Sequence, residues 1–244
     1  MSLNVFQNPD EAIKALADFF VKCANEAIND HQQFFVALSG GNSPKKLHQL
    51  LASDTYKNQI DWTKVIFFFG DERYVPHNHP DSNYLMAKET LLDPLNIADE
   101  QVFKIDTSLD PASAAQDYAR CICKHFKEEA IFDLIILGMG DDAHTASIFP
   151  HTPLVWINEE LVKEVYLEDK KVYRISMTVR LINQAKNVAF LTFGETKAPA
   201  LKAVLEGERD VAQYPSQLIK PKNGTLNWFV DKAAAGLLKK NSAF

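Results

Sequence analysis

The chain has 244 residues, 46% of them hydrophobic and 24% charged, and carries a formal net charge of −6. That composition is ordinary for a soluble globular protein with a sizeable core and speaks against disorder. The acidic balance, with no basic run, speaks against a nucleic-acid surface.

The first ten residues show no basic-then-apolar signal, and the apolar runs, about six residues at most, are too short to span a bilayer. Ala12, Leu16, Phe19 and Phe20 mark an amphipathic helix. Phe34 to Leu38 is a continuous apolar run, as expected of a parallel strand covered on both faces. Ser39-Gly40-Gly41-Asn42-Ser43 follows it, and a helix is predicted from Pro44. A second such strand covers Val65 to Phe69 and runs into Gly70-Asp71-Glu72-Arg73. Ala114, Tyr118, Ile122 and Phe126 recur every fourth residue, with Asp110 as candidate N-cap and Pro111 behind it. A third strand, 132–137, ends at Gly138, and a fourth, 188–193, ends at Gly194, before a helix over 198–205. Between these last two strands, residues 161–177 are rich in β-branched and aromatic residues and are interrupted by Glu168-Asp169-Lys170-Lys171, which predicts a β-hairpin or edge pair. The alternation implies one α/β domain over residues 1–244, a modified doubly wound (Rossmann-like), mostly parallel sheet flanked by helices, with a small hairpin extension. The three cysteines, Cys23, Cys121 and Cys123, form no disulfide or zinc pattern. Each reads as a small, reduced core residue within a helix, in keeping with a cytoplasmic location.

Open parallel sheets bind ligands at the carboxyl ends of their strands. At the first such end, Ser39, Gly40, Gly41, Asn42 and Ser43 open a helix whose free N–H groups favour an anion, although a plain tight turn would look the same. At the second, Arg73 can grip a phosphate or carboxylate with two parallel hydrogen bonds, while Asp71 can orient a histidine or a substrate hydroxyl. The third, Gly138-Met139-Gly140-Asp141-Asp142-Ala143-His144-Thr145-Ala146-Ser147, is the richest, and His144 there is a candidate general base with Asp142 beside it. At the fourth, Lys197 complements an anion at a helix start, and Arg174 in the β-rich stretch is a further cation. His77, His79 and Asp71 do not make a convincing metal site, since no fourth ligand is evident.

The pieces Leu38 to Pro44, Gly70 to Pro76, Asp81-Ser82-Asn83-Tyr84, 132–150, Arg174-Ile175-Ser176-Met177-Thr178 and Gly194 with Lys197-Ala198 appear in this order. In this they resemble the 6-phosphogluconolactonase family, which is related in fold to glucosamine-6-phosphate deaminase. The chain departs from the family pattern at Ala143, where a glycine is usual, and at Asn42-Ser43 in the first loop. If position 143 needs positive φ, alanine costs about 1 kcal/mol there. The resemblance implies a lactonase without metal or organic cofactor, acting on a small sugar-phosphate substrate as a monomer or small homo-oligomer. It further implies that His144 activates water, with the phosphate near Arg73, Arg174, Lys197 and the 39–43 loop. A deaminase would call for Asp-Glu-Tyr where the chain has Asp71-Glu72-Arg73. A non-catalytic sugar-phosphate sensor would call for a DNA-binding segment that is not evident.

Overall fold

In the computed structural model, residues 1–126 and 129–239 are described. The elements in chain order are β1 (Ser2–Phe6), α1 (Pro9–His31), β2 (Phe34–Leu38), α2 (Asn42–Leu51), β3 (Val65–Phe69), β4 (Asp71–Arg73), α3 (Asn83–Ala87) and α4 (Pro111–His125). There follow β5 (Leu134–Leu137), β6 (Val162–Leu167), β7 (Val172–Met177), α5 (Val179–Ile182), β8 (Asn187–Thr192), α6 (Ala198–Glu206) and β9 (Thr225–Asp231).

Six strands form one parallel sheet in the order β1-β9-β8-β5-β2-β3. Its strands read as unbroken apolar runs because both faces are covered. In β2, Phe34, Val36 and Leu38 pack with α1 and α2, while Phe35 and Ala37 pack with α4 and the hairpin side. β3 and β5 divide their side chains between the same two cores. The predicted fold class therefore stands, and the four predicted strands, β2, β3, β5 and β8, and four predicted helices lie close to where the periodicity puts them. Asp110 caps α4 by accepting from Ser113 N, with Pro111 in the first turn. Among the described residues, no helix is long and apolar enough to cross a membrane.

Three features differ from expectation. The outer strands β1 and β9 extend the sheet at one edge, paired through Ser2↔Asn227 to Phe6↔Asp231. The predicted hairpin is present as β6–β7, and β4 joins it as a third antiparallel strand. Of the three thiols only Cys23 is buried. Cys121 is half-buried and Cys123 exposed, because α4 turns Ala114, Ala115, Tyr118 and Ile122 to the core and leaves positions 121 and 123 off that face.

The sheet reverses direction of winding between β2 and β5: the chain runs from β2 outward to β3, then returns to β5 on the other side. Loops leaving two such strands must diverge, and the crevice between them is where ligands bind in this class of sheet.

Candidate active site

A cavity of about 480 Å³ opens at that crevice. Its walls come from all four predicted strand ends and from the hairpin: Ser39 to Pro44 after β2, Asp71 and Arg73 in β4, Gly138 to Gly140 and His144 after β5, Arg174 in β7 and Lys197 after β8. Of the residues singled out in the sequence, only Asp142 does not line it.

Asp142 stands behind the histidine instead. Its Oδ1 lies 2.5 Å from His144 Nδ1 and also accepts from His144 N at 3.1 Å. Burial pushes the Asp142 carboxyl up, but the hydrogen bond from the imidazole, its charge and the backbone N–H together outweigh it and hold the group down at about 2. The carboxylate is therefore ionised and acts only as an acceptor, so the Nδ1 it contacts carries a proton and Nε2 is the nitrogen turned away from it. The ring stacks on Phe149 with centroids 4.0 Å apart.

The loop that carries this pair is held by its own backbone. Gly140 N donates to His144 O and Ala143 N to Gly140 O. Ser216 donates to Ala143 O through both N and Oγ. Ala143 has φ +64, the left-handed region, so the residue that replaces the usual glycine does adopt the strained conformation. Gly140 is required for space: a Cβ there would lie 2.1 Å from His144 Nδ1 and 2.4 Å from Asp142 Oδ1.

Asp71 does not touch the imidazole. Its Oδ2 accepts from Ser147 Oγ at 2.6 Å and its Oδ1 from Asn83 Nδ2 at 3.3 Å. The reason is β4. In place of the expected loop, Asp71-Glu72-Arg73 forms a strand opposite Ser176, Ile175 and Arg174. Side chains alternate along it, so Asp71 and Arg73 face the cavity while Glu72 is buried behind.

That register sets Arg73 directly opposite Arg174. Like charges in this arrangement repel. Burial first, and Arg73 next, hold the Arg174 guanidinium below its usual range. The two side chains spend one N–H each on carbonyls, Arg73 on Asp81 O and Arg174 on Tyr173 O. Neither is ion-paired to a carboxylate among the described residues. Lys197 is paired, at 2.7 Å from Asp141. Helix α2 begins two residues earlier than predicted, and its N-cap, Gly41 at φ +105, supplies no side-chain acceptor. Its first turn, Asn42 to Pro44, lines the cavity, and no side chain caps the N–H groups of Asn42 and Ser43. Ser39 contributes backbone here, since its hydroxyl donates to Ile136 O at 2.7 Å. The arrangement sets cations and uncapped backbone donors beside the imidazole of His144.

Ser147, Phe149, Lys170 and Thr192 are among the wall residues to which the sequence assigned no role. Lys170 belongs to the four-residue turn between β6 and β7, and its Nζ lies 4.5 Å over the Phe149 ring. The hairpin was legible, but not the direction in which its tip leans.

The profile of the family described as glucosamine-6-phosphate isomerases/6-phosphogluconolactonase matches residues 7–228. The chain belongs to this family. It is 40% identical over 219 residues to 6-phosphogluconolactonase of Synechocystis sp., covering 88% of each chain. It is 35% identical over 241 residues to the Rattus norvegicus 6-phosphogluconolactonase, covering 97% of this chain and 93% of the rat protein. Among solved structures, 6-phosphogluconolactonase from Trypanosoma brucei superposes with a TM-score of 0.87 at 27% identity, with 98% of each chain covered. The devB protein gives 0.87 at 29% identity, covering 98% of this chain and 99% of its own. Family membership agrees with the parallel sheet, and it places the cavity residues in a sugar-phosphate enzyme.

Proposed function

We propose that the protein hydrolyses 6-phospho-D-glucono-1,5-lactone to 6-phospho-D-gluconate, the lactone-opening step of the oxidative pentose phosphate pathway. The observation that carries this reading is one cavity holding two separate devices: an imidazole with a free Nε2, backed by an ionised Asp142, and a cluster of unpaired guanidinium groups and helix N–H donors.

The phosphate sits against Arg73, Arg174 and the 39–43 loop, with Lys197 joining from its pair with Asp141. This fixes the lactone carbonyl near His144. Water attacks the carbonyl carbon as Nε2 takes its proton, so that a C–O bond forms and the carbonyl oxygen becomes an oxyanion. Backbone N–H groups of the cavity loops or Arg73 stabilise that charge. The intermediate collapses by breaking the bond to the ring oxygen, which takes the proton back from the imidazolium and becomes a hydroxyl. Asp142 keeps the ring in the correct tautomer and stabilises the imidazolium. Asp71, held by Ser147 and Asn83, accepts a hydrogen bond from a sugar hydroxyl. The step needs only water, a base and oxyanion donors, so no cofactor is called for. A serine nucleophile is not favoured, because Ser39 and Ser147 donate to Ile136 O and Asp71 rather than to the histidine. We read residues 1–244 as one working unit located in the cytoplasm, acting as a monomer or small homo-oligomer.

The test is acid release from freshly prepared 6-phosphogluconolactone with the spontaneous rate subtracted, alongside ammonia release from glucosamine 6-phosphate. Acceleration of the first without the second is expected. Ammonia release at a matching rate would assign the deaminase reaction instead, and saturable binding without turnover would assign a sensor.

A further inference from the structure

Asn83 belongs to the Asp81–Tyr84 stretch, which the proposed chemistry leaves without a task. It starts α3 and is 2% exposed. Its backbone is fixed independently of its side chain. The buried Glu72 carboxylate accepts from Asn83 N at 2.7 Å, Tyr84 N at 2.9 Å, Ser82 Oγ at 3.0 Å and Arg73 N at 2.7 Å. Ser82 also caps the helix by accepting from Leu85 N. The helix start is complete without the Asn83 amide.

That amide turns back toward the cavity wall. Nδ2 donates to Asp71 O at 2.9 Å and to Asp71 Oδ1 at 3.3 Å. The amide cannot be reversed, because Oδ1 would then face two acceptors. Oδ1 is buried with no hydrogen-bond partner. It lies instead against Gly40: a Cβ at position 40 would be 1.7 Å from it. One side chain therefore touches both the loop that faces the phosphate and the carboxylate that faces the sugar. A buried acceptor without a partner destabilises the fold, so packing alone does not account for an amide here.

We propose that Asn83 is a positioning residue, fixing the Asp71 carboxylate and the Gly40 loop relative to each other. This rests on the reading of Asp71 as a group that contacts substrate. Asn83→Asp keeps the shape but replaces the donor with a second carboxylate about 3 Å from the first, where two like charges cannot both ionise freely. A misplaced reacting group costs up to about 100-fold.

The experiment measures kcat and KM across pH for Asn83→Asp, Asn83→Ala and Asp71→Asn, and for each Asn83 variant combined with Asp71→Asn, with thermal unfolding to confirm folding. Expected are a kcat loss of roughly 10–100-fold in both Asn83 variants and an acid limb moved to higher pH in Asn83→Asp alone. The Asn83 substitutions should add little further kcat loss once Asp71 is Asn, as groups acting through one another do not add. If Asn83→Asp does not fold, Asn83→Ala and its double variant carry the test. Wild-type kcat and pH profile in a folded Asn83 variant, or losses that add fully to those of Asp71→Asn, would overturn the proposal. Full activity in Asp71→Asn would overturn it differently, by removing the role of Asp71 itself.

Discussion

Gly140→Ala is the sharpest perturbation of the catalytic pair, because it changes neither of its members. The added Cβ would stand 2.1 Å from His144 Nδ1. Ordinary contact begins at 3.4 Å, so the ring must retreat by about 1.3 Å or the loop must open. Either movement breaks the 2.5 Å contact with Asp142. The loop has little freedom to absorb it, since Gly140 N is bonded to His144 O and Gly140 O to Ala143 N. Displacement on the order of 1 Å costs up to about 100-fold in rate, and complete loss of general-base assistance costs about 10²–10⁴-fold. A kcat between these limits is expected. Gly138→Ala is the control: its Cβ would meet nothing within 4 Å and its φ is not positive, so the pair stays intact and kcat should stay within a few-fold. Both variants are assayed by proton release from 6-phosphogluconolactone over a range of pH, with thermal unfolding beside it. The wild type and Gly138→Ala should lose rate in acid, as expected of a reaction that depends on a general base. Gly140→Ala, if folded, should lack that limb at its low residual rate. A folded Gly140→Ala with wild-type kcat and the same acid limb would show that the Asp142–His144 pair does not drive the reaction.

Arg174→Ala should weaken the phosphorylated lactone by about one to two powers of ten, since a charge-assisted hydrogen bond contributes roughly 1.5–3 kcal/mol; unphosphorylated gluconolactone should be little affected, and equal losses on both substrates would refute the anion site. Lys197→Ala should cost less than Arg174→Ala, because the lysine must first leave Asp141; the comparison is one of KM values. Replacing Cys23, Cys121 and Cys123 by alanine should leave the kcat of the folded protein intact, because burial pushes the Cys23 thiol up to about 12 and Cys121 and Cys123 lie off the cavity; loss of turnover in a folded triple variant would implicate a thiol. His48 is fully buried and burial lowers it from 6.5 to about 4. A folded-state value below the unfolded one means that stability is complete above pH 6.5 and declines toward about pH 4, in total by ~3 kcal/mol. Urea unfolding should show this slope in the wild type and a flatter one in His48→Leu, in which Thr90 keeps its bond to Met86 O; equal slopes would refute it.

The elements that could be read from the sequence are those whose residues decide their own surroundings. Phe34 to Leu38 is apolar at every position because both sheet faces are covered, so the strand announces itself. Asp110-Pro111 announces the start of α4 through capping chemistry alone. β1 was missed because its residues are neither continuously apolar nor cleanly alternating. Ser2 and Asn4 spend their side chains on Asn227 and Trp228 across the edge of the sheet, partners more than 200 positions away. β4 carried no strand signal, because Asp71, Glu72 and Arg73 are all charged and three residues are too few for a period to stand out. The site was legible as a set of strand-end loops. Which carboxylate serves the histidine was not, because that depends on β4 pairing with β7 through a register no local pattern encodes. Asn83 and Lys170 were hidden for the same reason, since each reaches the cavity wall only through tertiary contacts.

Some departures from local preference lie at the cavity. Ala143 and Ala146 both have positive φ, at 64° and 47°, which costs a non-glycine residue free energy. Arg73 and Arg174 face each other without a carboxylate. Helix α2 starts without a side-chain cap, and Asn83 Oδ1 is buried without a partner. Others lie elsewhere, such as positive φ at Gln32, Asn96 and His151 and the unpartnered His48 Nε2, while α1, α3 and α4 are capped by Asn8, Ser82 and Asp110 and Asp133 is satisfied by Phe35 N, His31 and Lys186. Local conflicts of this kind persist where function requires them and are offset elsewhere. In a chain of net charge −6, attraction of an anion cannot come from the overall field. It has to be built locally, and Arg73, Arg174 and the start of α2 are where this fold leaves cations and backbone donors without a carboxylate or a side-chain cap.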